Sequence, residues 1–228
     1  MNITLSERLQ CCASQITGGQ RVADIGCDHG YLGIHLLQTG RANAVIAADV
    51  NEGPLQSAIR NAEKYGVYDK MRFYLSDGAR NIPRDFDTLV CAGMGADTII
   101  HILEDAPWLR SCQYTLVLQC QSKTPTLHQY LSDTGWDIFK ENIIRDGKFL
   151  YSVLSARFDP DAPWLTPGQC YITPAMLEAA DPCLGEYYGR IVEGLRLAVT
   201  HQDDPQKKQI LAELESDPNS DQLRRSLL

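Results

Sequence analysis

Long apolar runs, paired cysteines and a basic surplus are all missing from this sequence. No stretch reaches the roughly 18 apolar residues of a membrane span, and no basic segment precedes an apolar one at the N-terminus. The cysteines form no Cys-x-x-Cys pair and the histidines show no metal-ligand spacing, so we expect no metal site. Cys91 and Cys120 lie in apolar runs, which is typical of small buried hydrophobes in a reducing compartment. These absences predict a cytoplasmic protein with no membrane contact.

The charge balance is acidic, with 21 Lys and Arg residues against 29 Asp and Glu and a formal net charge of −8. Because affinity for phosphates is mostly electrostatic, this balance argues against the broad basic face of an indiscriminate nucleic-acid binder. It is compatible with a local basic patch. The pairs Lys207-Lys208 and Arg224-Arg225 stand among acids and are interpreted as solvated helix faces, with phosphate contact as the alternative.

Short apolar runs alternate with helical patterns over the first 134 residues. Such alternation, with apolar strands buried on both faces, predicts a parallel sheet in an α/β fold. The expected strands are Arg21–Ile25, Asn43–Ala48, Met71–Leu75, Thr88–Ala92 and Tyr114–Gln119. The expected helices are Leu5–Ile16, Tyr31–Leu37, Pro54–Tyr65, Thr98–Leu103 and Pro125–Thr134.

The rhythm changes at the end of this region. Trp136–Arg145 and Phe149–Phe158 both have strand patterns and are joined by the turn residues Asp146-Gly147, so they must be antiparallel. A parallel sheet closed by an antiparallel hairpin is typical of a Rossmann-like methyltransferase domain and not of a nicotinamide dehydrogenase domain.

The composition changes again after Phe158. The segment from Asp159 to Pro174 carries four prolines and is expected to be a linker. From Ala175 onward the apolar spacing is helical and predicts a small appendage, a helix pair. The expected organisation is therefore a Rossmann-like domain over residues 1–158, a linker over 159–174 and a helical domain over 175–228, for which 228 residues give enough room.

The segment Asp24-Ile25-Gly26-Cys27-Asp28-His29-Gly30 follows the first predicted strand and opens a helix. Glycines in such a turn let the backbone approach a ligand closely, and the helix N-terminus supplies free N–H groups. Asp28 occupies a position where a pyrophosphate-binding loop carries glycine, and a carboxylate there would repel phosphate. The sulfonium and ammonium groups of S-adenosylmethionine suit it better than NAD does. The alternative is a plain strand-to-helix turn with Asp28 as its N-cap.

Three further segments follow the next strands. Asp49 closes the second strand, where an acid accepts hydrogen bonds from ribose hydroxyls in nucleotide-binding α/β folds. Asp77-Gly78 follows the third strand, where an adenine ring would lie, although a plain Asp-Gly turn explains it equally well. Gly93-Met94-Gly95 follows the fourth strand, at the place of the transferred methyl group, and its glycines permit a close approach of the ligand. A flexible turn is the alternative there.

At these residues the chain resembles the bacterial tRNA (adenine-22-N1)-methyltransferase family. The resemblance covers the whole N-terminal domain in order. It runs through Leu5-Ser6-Glu7-Arg8-Leu9, the segment 23–32, Ala48-Asp49-Val50-Asn51 with Gly53-Pro54, Ser76-Asp77-Gly78, Ala92-Gly93-Met94-Gly95, Leu116-Val117-Leu118-Gln119, and Glu141 with Tyr151.

The resemblance implies a class I methyltransferase with S-adenosylmethionine as cofactor and tRNA as substrate. It also implies a coiled-coil-like C-terminal domain that helps to engage tRNA, and it leaves the oligomeric state open, a monomer included. Asp28 and His29 are the catalytic candidates, with Asp28 accepting a hydrogen bond from the exocyclic amine of adenine. The expected substrate-binding residues are Arg8, Tyr31 and Gln119. The expected cofactor-binding residues are Asp24, Gly26, Cys27, Asp49, Val50, Asp77, Gly78, Gly93, Met94 and Gly95.

The chain departs from the family pattern after Gln119, where Cys120-Gln121 replaces the usual Pro-Asn in a segment that should face the acceptor. Other hypotheses therefore stay open: a methyltransferase acting on a small molecule or another RNA, a non-catalytic module that binds S-adenosylmethionine or RNA, and a dehydrogenase. A helical arm held away from the site suits an extended substrate, whereas a small-molecule enzyme needs a lid. We therefore favour N1-methylation of an adenine in tRNA.

Overall fold

Seven strands form one mixed sheet in the computed structural model, which describes residues 3–220 and residue 223. The strands are β1 (Gln20–Ile25), β2 (Ala42–Asp49), β3 (Met71–Leu75), β4 (Thr88–Met94), β5 (Thr115–Cys120), β6 (Trp136–Asp146) and β7 (Phe149–Phe158). They lie in the order β3-β2-β1-β4-β5-β7-β6. The first five pair in parallel, and β7 runs antiparallel to both β5 and β6. The expected parallel sheet with a closing hairpin is thus confirmed.

Eight α-helices accompany the sheet in the described part of the chain. They are α1 (Glu7–Gln15), α2 (Tyr31–Gln38), α3 (Glu52–Lys64), α4 (Ala96–Glu104), α5 (Thr124–Asp133), α6 (Pro174–Ala179), α7 (Leu184–His201) and α8 (Pro205–Ser216). Helices α1 to α3 pack on one face of the sheet, and α4 and α5 pack on the other. Every helix and strand expected in the first 158 residues is present, with ends shifted by only one to three residues.

Both faces of the central strands are buried because helices cover both. In β4 and β5, Leu89 and Leu116 belong to the core on the α4 and α5 side, whereas Val90 and Val117 belong to the core on the α1 side. All four side chains are fully buried. A strand covered on both faces needs apolar residues at every position, which explains the continuous apolar runs in the sequence.

The helices after β7 number three rather than the expected pair. The short helix α6 is additional, and the hydroxyl of Thr173 caps its N-terminus by accepting a hydrogen bond from Met176 N at 3.2 Å. Helices α6 to α8 share an apolar cluster with Ile143 of β6, so this cluster is anchored to the edge strand of the sheet. The domain boundaries expected at residues 158 and 174 remain predictions. Arg224 and Arg225 lie outside the described residues.

A buried polar group connects α5, β6, β7 and the segment before α6. Glu141 is fully buried, and its two oxygens accept hydrogen bonds from His128 Nε2 at 2.9 Å, from Thr173 Oγ1 at 2.6 Å and from Ser152 Oγ. The Nδ1 atom of His128 lies 2.7 Å from the carbonyl oxygen of Cys170. Burial opposes ionisation of Glu141, but the contacts with His128 and the two hydroxyls hold its pKa below the ordinary value.

Within residues 3–220, together with residue 223, no helix combines the length and the apolar character needed to cross a membrane. Over the same part of the chain, no three His, Cys, Asp or Glu side chains come together in a way that could hold a metal ion. Any reaction that the described residues support must therefore rest on their own charges and hydrogen bonds and on what binds to the sheet edge.

Candidate active site

A cavity of about 310 Å³ opens at the carboxyl ends of β1 and β4. The strand order reverses between these two neighbours, since β2 and β3 lie beyond β1 whereas β5 lies beyond β4. Ligands of open α/β sheets bind at such a switch point. The cavity walls come from α1, from the turn between β1 and α2, and from the ends of β4 and β5. The lining residues are Arg8, Leu9, Asp24, Gly26, Cys27, Asp28, His29, Tyr31, Leu32, Ala92, Gly93 and Gln121.

The turn between β1 and α2 has a left-handed backbone at alternate residues. The φ angles are 69° at Gly26, 49° at Asp28 and 72° at Gly30. A Cβ atom at position 26 would lie 2.3 Å from Cε of Met94, so glycine there lets two loops of the site pack together. Gly30, and not Asp28, occupies the N-cap position of α2. The alternative hypothesis that Asp28 is the helix cap is therefore wrong, and its side chain is free for another role.

Asp24 is a buried acid in the cavity wall. Its residue is only 3% exposed, and its Oδ2 atom has no hydrogen-bond partner among the described residues. Burial, which a backbone hydrogen bond from Gly33 only partly offsets and to which the charge of Asp49 adds, raises the pKa of Asp24 to about 7. A buried carboxylate oxygen without a partner is costly, so this position is suited to receive a cationic group of a ligand.

Asp28 and His29 lie at the rim of the same cavity. Their side chains are 70% and 50% exposed, and His29 Nε2 lies 3.6 Å from Asp28 Oδ1. The ring of His29 is 5.6 Å from that of Tyr31, centroid to centroid. These polar and aromatic groups face solvent at the cavity mouth, where a planar base could contact all three.

Asp49 ends β2 beside the cavity without lining it. Its Oδ2 accepts a hydrogen bond from Asp28 N at 3.1 Å, and its Oδ1 accepts one from Asn51 N at 2.9 Å. The next residue, Val50, is 61% exposed although it is apolar. The carboxylate therefore stabilises the turn that carries Asp28, and the exposed Val50 leaves an apolar surface next to it.

Asp77 and Gly78 follow β3 on the same sheet edge but outside the cavity lining. Parallel pairing of Asp49 with Leu75 brings the ends of β2 and β3 together. In this structure the Asp77 carboxylate pairs with Arg80 at 2.8 Å. The turn residues expected near an adenine ring thus lie one strand further from the cavity than Asp49 does.

The segment Gly93-Met94-Gly95 forms the end of β4 and the start of α4. Gly93 has a φ of 81° and lines the cavity, whereas Gly95 is the N-cap residue of α4. Met94 packs behind the β1–α2 turn, against Gly26. Of the three residues, only Gly93 is among those that line the cavity.

Gln119 corrects one expectation about substrate binding. Its residue is fully buried, and its Oε1 accepts hydrogen bonds from Gly93 N at 2.9 Å and from Arg8 Nη1 at 3.1 Å. A side chain enclosed in this way supports the cavity wall instead of touching a substrate. Arg8 does line the cavity, and its Nε lies 3.4 Å from Asp146 Oδ2 at the end of β6.

Sequence analysis missed four residues of the cavity: Leu9, Leu32, Ala92 and Gln121. Gln121 is the informative one, because it belongs to the segment that departs from the family pattern. Cys120 is buried and its thiol donates to the Ser122 carbonyl, whereas Gln121 lines the cavity and its backbone N–H donates to the Met94 carbonyl at 2.8 Å. Its position immediately after a parallel strand was the signal that could have identified it.

A switch-point cavity lined by acids, in a parallel sheet closed by an antiparallel hairpin, defines the chain as a class I methyltransferase. In agreement, residues 5–154 match the methyltransferase domain family. The tRNA (adenine(22)-N(1))-methyltransferase of Bacillus subtilis is 32% identical over 164 residues, which cover 71% of this chain and 69% of that one. The chain therefore belongs to the tRNA (adenine(22)-N(1))-methyltransferase family.

Two solved structures resemble the chain over its full length. The crystal structure of the B. subtilis M1A22 tRNA methyltransferase TrmK has a TM-score of 0.79 at 26% identity and covers all of both chains. The Streptococcus pneumoniae protein Sp1610, solved in complex with S-adenosyl-L-methionine, has a TM-score of 0.80 at 26% identity and covers 99% of this chain and 100% of that one. The likeness therefore includes the three C-terminal helices.

Proposed function

We propose that this protein transfers a methyl group from S-adenosylmethionine to N1 of adenine 22 in tRNA. The observation that carries the proposal is the separation of two acids at one cavity. Asp24 is buried in the wall with an unpartnered oxygen, whereas Asp28 is exposed at the rim. The first suits a cationic cofactor, and the second suits a neutral base that becomes cationic on methylation. Membership of the family gives the substrate.

The residues present fit the cofactor. The unpartnered Oδ2 of Asp24 is an acceptor for the ammonium group, and Gly26 and Gly93 leave the backbone accessible on both sides of the cavity. Asp49 would accept hydrogen bonds from the ribose, with Val50 and Asp77-Gly78 flanking the adenine ring of the cofactor and Cys27, Met94 and Gly95 supporting the surrounding loops. When bound, the cofactor supplies an electrophilic methyl group on its sulfonium.

The target adenine needs orientation rather than a strong base, because its N1 atom already has an in-plane lone pair. The Asp28 carboxylate would accept a hydrogen bond from the exocyclic amine and would stabilise the positive charge that develops on the ring. His29 and Tyr31 would hold the plane of the base at the rim. Arg8 would keep the cavity wall in place through Gln119 and would supply positive charge to the RNA.

A tRNA substrate also assigns a role to the residues beyond β7. We propose that residues 175–228 form a helical domain, joined by a linker over residues 159–174, which contacts tRNA away from the cavity. Such an arm suits an extended substrate better than a small molecule. The substrate also places the enzyme in the cytoplasm, where tRNA is modified.

The experiment that tests this function is methyl transfer from labelled S-adenosylmethionine to unmodified total tRNA, with ribosomal RNA as the control acceptor. Mass spectrometry of the digested tRNA should identify the labelled nucleoside as N1-methyladenosine. Label in a different nucleoside, or in ribosomal RNA alone, would contradict the proposal. Measured cofactor binding without any transfer to RNA would favour a small-molecule acceptor or a binding module.

A further inference from the structure

The hairpin of β6 and β7 extends past the carboxyl edge of the sheet. Cys120, the last residue of β5, pairs with Ser152 of β7, so residues 149–151 continue beyond the end of β5. Three strand residues span roughly 10 Å. Gln121, which follows β5 directly, lines the cavity. The hairpin tip, defined here as residues 146–151, therefore projects from the same edge at which the cavity opens.

The pairing register shows which face of the hairpin tip is turned to α1. Asp146 pairs with Phe149 and Ile144 pairs with Tyr151, and directly opposed residues present their side chains to the same face. Asp146 contacts Arg8 of α1 on that face. Phe149 and Tyr151 therefore lie on the α1 face of the hairpin, the face from which Arg8 also reaches the cavity lining.

The hairpin tip combines exposed aromatic surface with a cation. Phe149 is 52% exposed, and its ring centroid lies 6.1 Å from that of Tyr151. Lys148 Nζ lies 5.2 Å from the Phe149 centroid. Among residues 3–220 and 223, no carboxylate lies within salt-bridge distance of Lys148, whereas the neighbouring Arg145 is paired with Glu186. The positive charge of Lys148 is thus not neutralised by an ion pair.

We propose that the hairpin tip is a stacking platform for an unpaired nucleobase next to the target adenine, with Phe149 and Tyr151 as the stacking rings and Lys148 at the adjoining phosphate. The inference rests on the proposed function and adds a specific RNA contact to it. Aromatic side chains stack on any base, and nearby cations follow the backbone. A base that enters a cavity leaves its stack, so its neighbour loses a stacking partner that this platform replaces.

An RNA ligand explains the tip better than a protein ligand does. Because Arg8 contacts both Asp146 and Gln119, the platform is connected to the cavity by a single side chain. Continuity with the catalytic cavity and an unpaired cation next to the rings both match a nucleotide adjacent to the methylated one. The platform thus gives a reason for an acidic chain to hold RNA by a small, local surface.

The test compares Phe149→Ala with the matched control Phe139→Ala, using tRNA as the substrate. Phe139 belongs to the same hairpin but lies toward its other end, is 43% exposed, and has the Arg157 guanidinium 5.3 Å from its ring centroid. Loss of one stacking partner should raise the KM for tRNA roughly five- to hundredfold for Phe149→Ala, with cofactor affinity unchanged. Phe139→Ala should leave the KM for tRNA unchanged.

Two further variants separate stacking from simple apolar contact. Phe149→Trp should restore the KM for tRNA, whereas Phe149→Leu should resemble Phe149→Ala, because leucine has no ring to stack. Lys148→Gln should weaken tRNA binding and reduce its salt dependence by about one phosphate contact.

The outcomes distinguish this inference from the function on which it rests. An active wild type with an unchanged KM for tRNA in Phe149→Ala would overturn the platform and leave the function intact. The same unchanged KM with a shifted sedimentation coefficient would overturn it in favour of self-association through the tip. A wild type that neither binds nor methylates tRNA, while binding the cofactor, would overturn the function itself.

Discussion

The carboxylate of Asp49 accepts a hydrogen bond of 3.1 Å from the backbone N–H of Asp28. The acid at the end of β2 therefore supports the left-handed residue that presents the other acid to the cavity rim. A group expected to bind the cofactor ribose is in this way connected to the group expected to orient the base. Changes at Asp49 should consequently affect both halves of the site.

We predict that Asp49→Ala weakens S-adenosylmethionine binding by at least about tenfold. The change removes the proposed ribose acceptor and leaves the N–H groups of Asp28 and Asn51 without their partner, a loss of roughly 1–3 kcal/mol for each buried group. Calorimetric titration measures the affinity, and Asp85→Ala, which changes an exposed acid paired with Arg72, is the control. Unchanged cofactor affinity in Asp49→Ala would remove this residue from the site.

Asp28→Asn should lower kcat by roughly 10²- to 10³-fold, the size typical of losing one electrostatic stabiliser of a transition state. Asparagine tolerates the positive φ of this position, so the turn should keep its shape. Cofactor affinity should then change by less than about threefold. Steady-state kinetics with tRNA and direct titration of the cofactor measure the two effects. Equal losses in turnover and in cofactor affinity would make Asp28 part of the cofactor site instead.

Asp24 should make the stability of the free protein depend on pH. Its pKa is about 7 when folded and has the ordinary value of 3.8 when unfolded, so the folded state binds more protons between these values. Stability contributed by this group therefore falls as pH rises from about 4 to 7 and is constant above. Relative to wild type, Asp24→Asn should gain about 2–4 kcal/mol in free energy of unfolding between pH 4 and pH 8.

Denaturant unfolding of both proteins at several pH values measures this difference. The same variant should lose most of its affinity for S-adenosylmethionine, because an amide cannot neutralise an ammonium group. A stability difference that stays constant between pH 4 and 8 would show that burial does not raise the pKa of Asp24.

Glu141→Gln should destabilise the protein by about 3–5 kcal/mol, the usual cost of breaking a buried ion pair by changing one partner. The amide cannot satisfy His128, Ser152 and Thr173 as the carboxylate does. Thermal unfolding measures the loss. Asp85→Asn, which breaks an exposed pair with Arg72, should cost less than about 1 kcal/mol. A loss in Glu141→Gln no larger than this control would show that the buried group does not stabilise the fold.

The fold could be predicted closely because its signals are local. The Asp146-Gly147 turn between two strand patterns was enough to place β6 and β7 antiparallel. Apolar runs without alternation indicated strands buried on both faces. The short helix α6 was not predicted as a separate element, because six residues after a proline-rich stretch carry too little periodicity to stand apart from the helices that follow.

The candidate site could be predicted only in part, because its contacts connect distant residues. Gln119 was expected to bind substrate, but its partners Gly93 and Arg8 lie 26 and 111 positions away along the chain. In a strand buried on both faces, periodicity gives no information about which polar side chain reaches a cavity. The glycine turn after β1, by contrast, lies in one stretch of sequence and was recognised there.

The most direct test of the central claim uses two tRNA transcripts that differ only at position 22, one with adenine and one with guanine. The account predicts that labelled methyl enters the first transcript as N1-methyladenosine at position 22 and that the second transcript stays unlabelled. Equal labelling of both transcripts would contradict it.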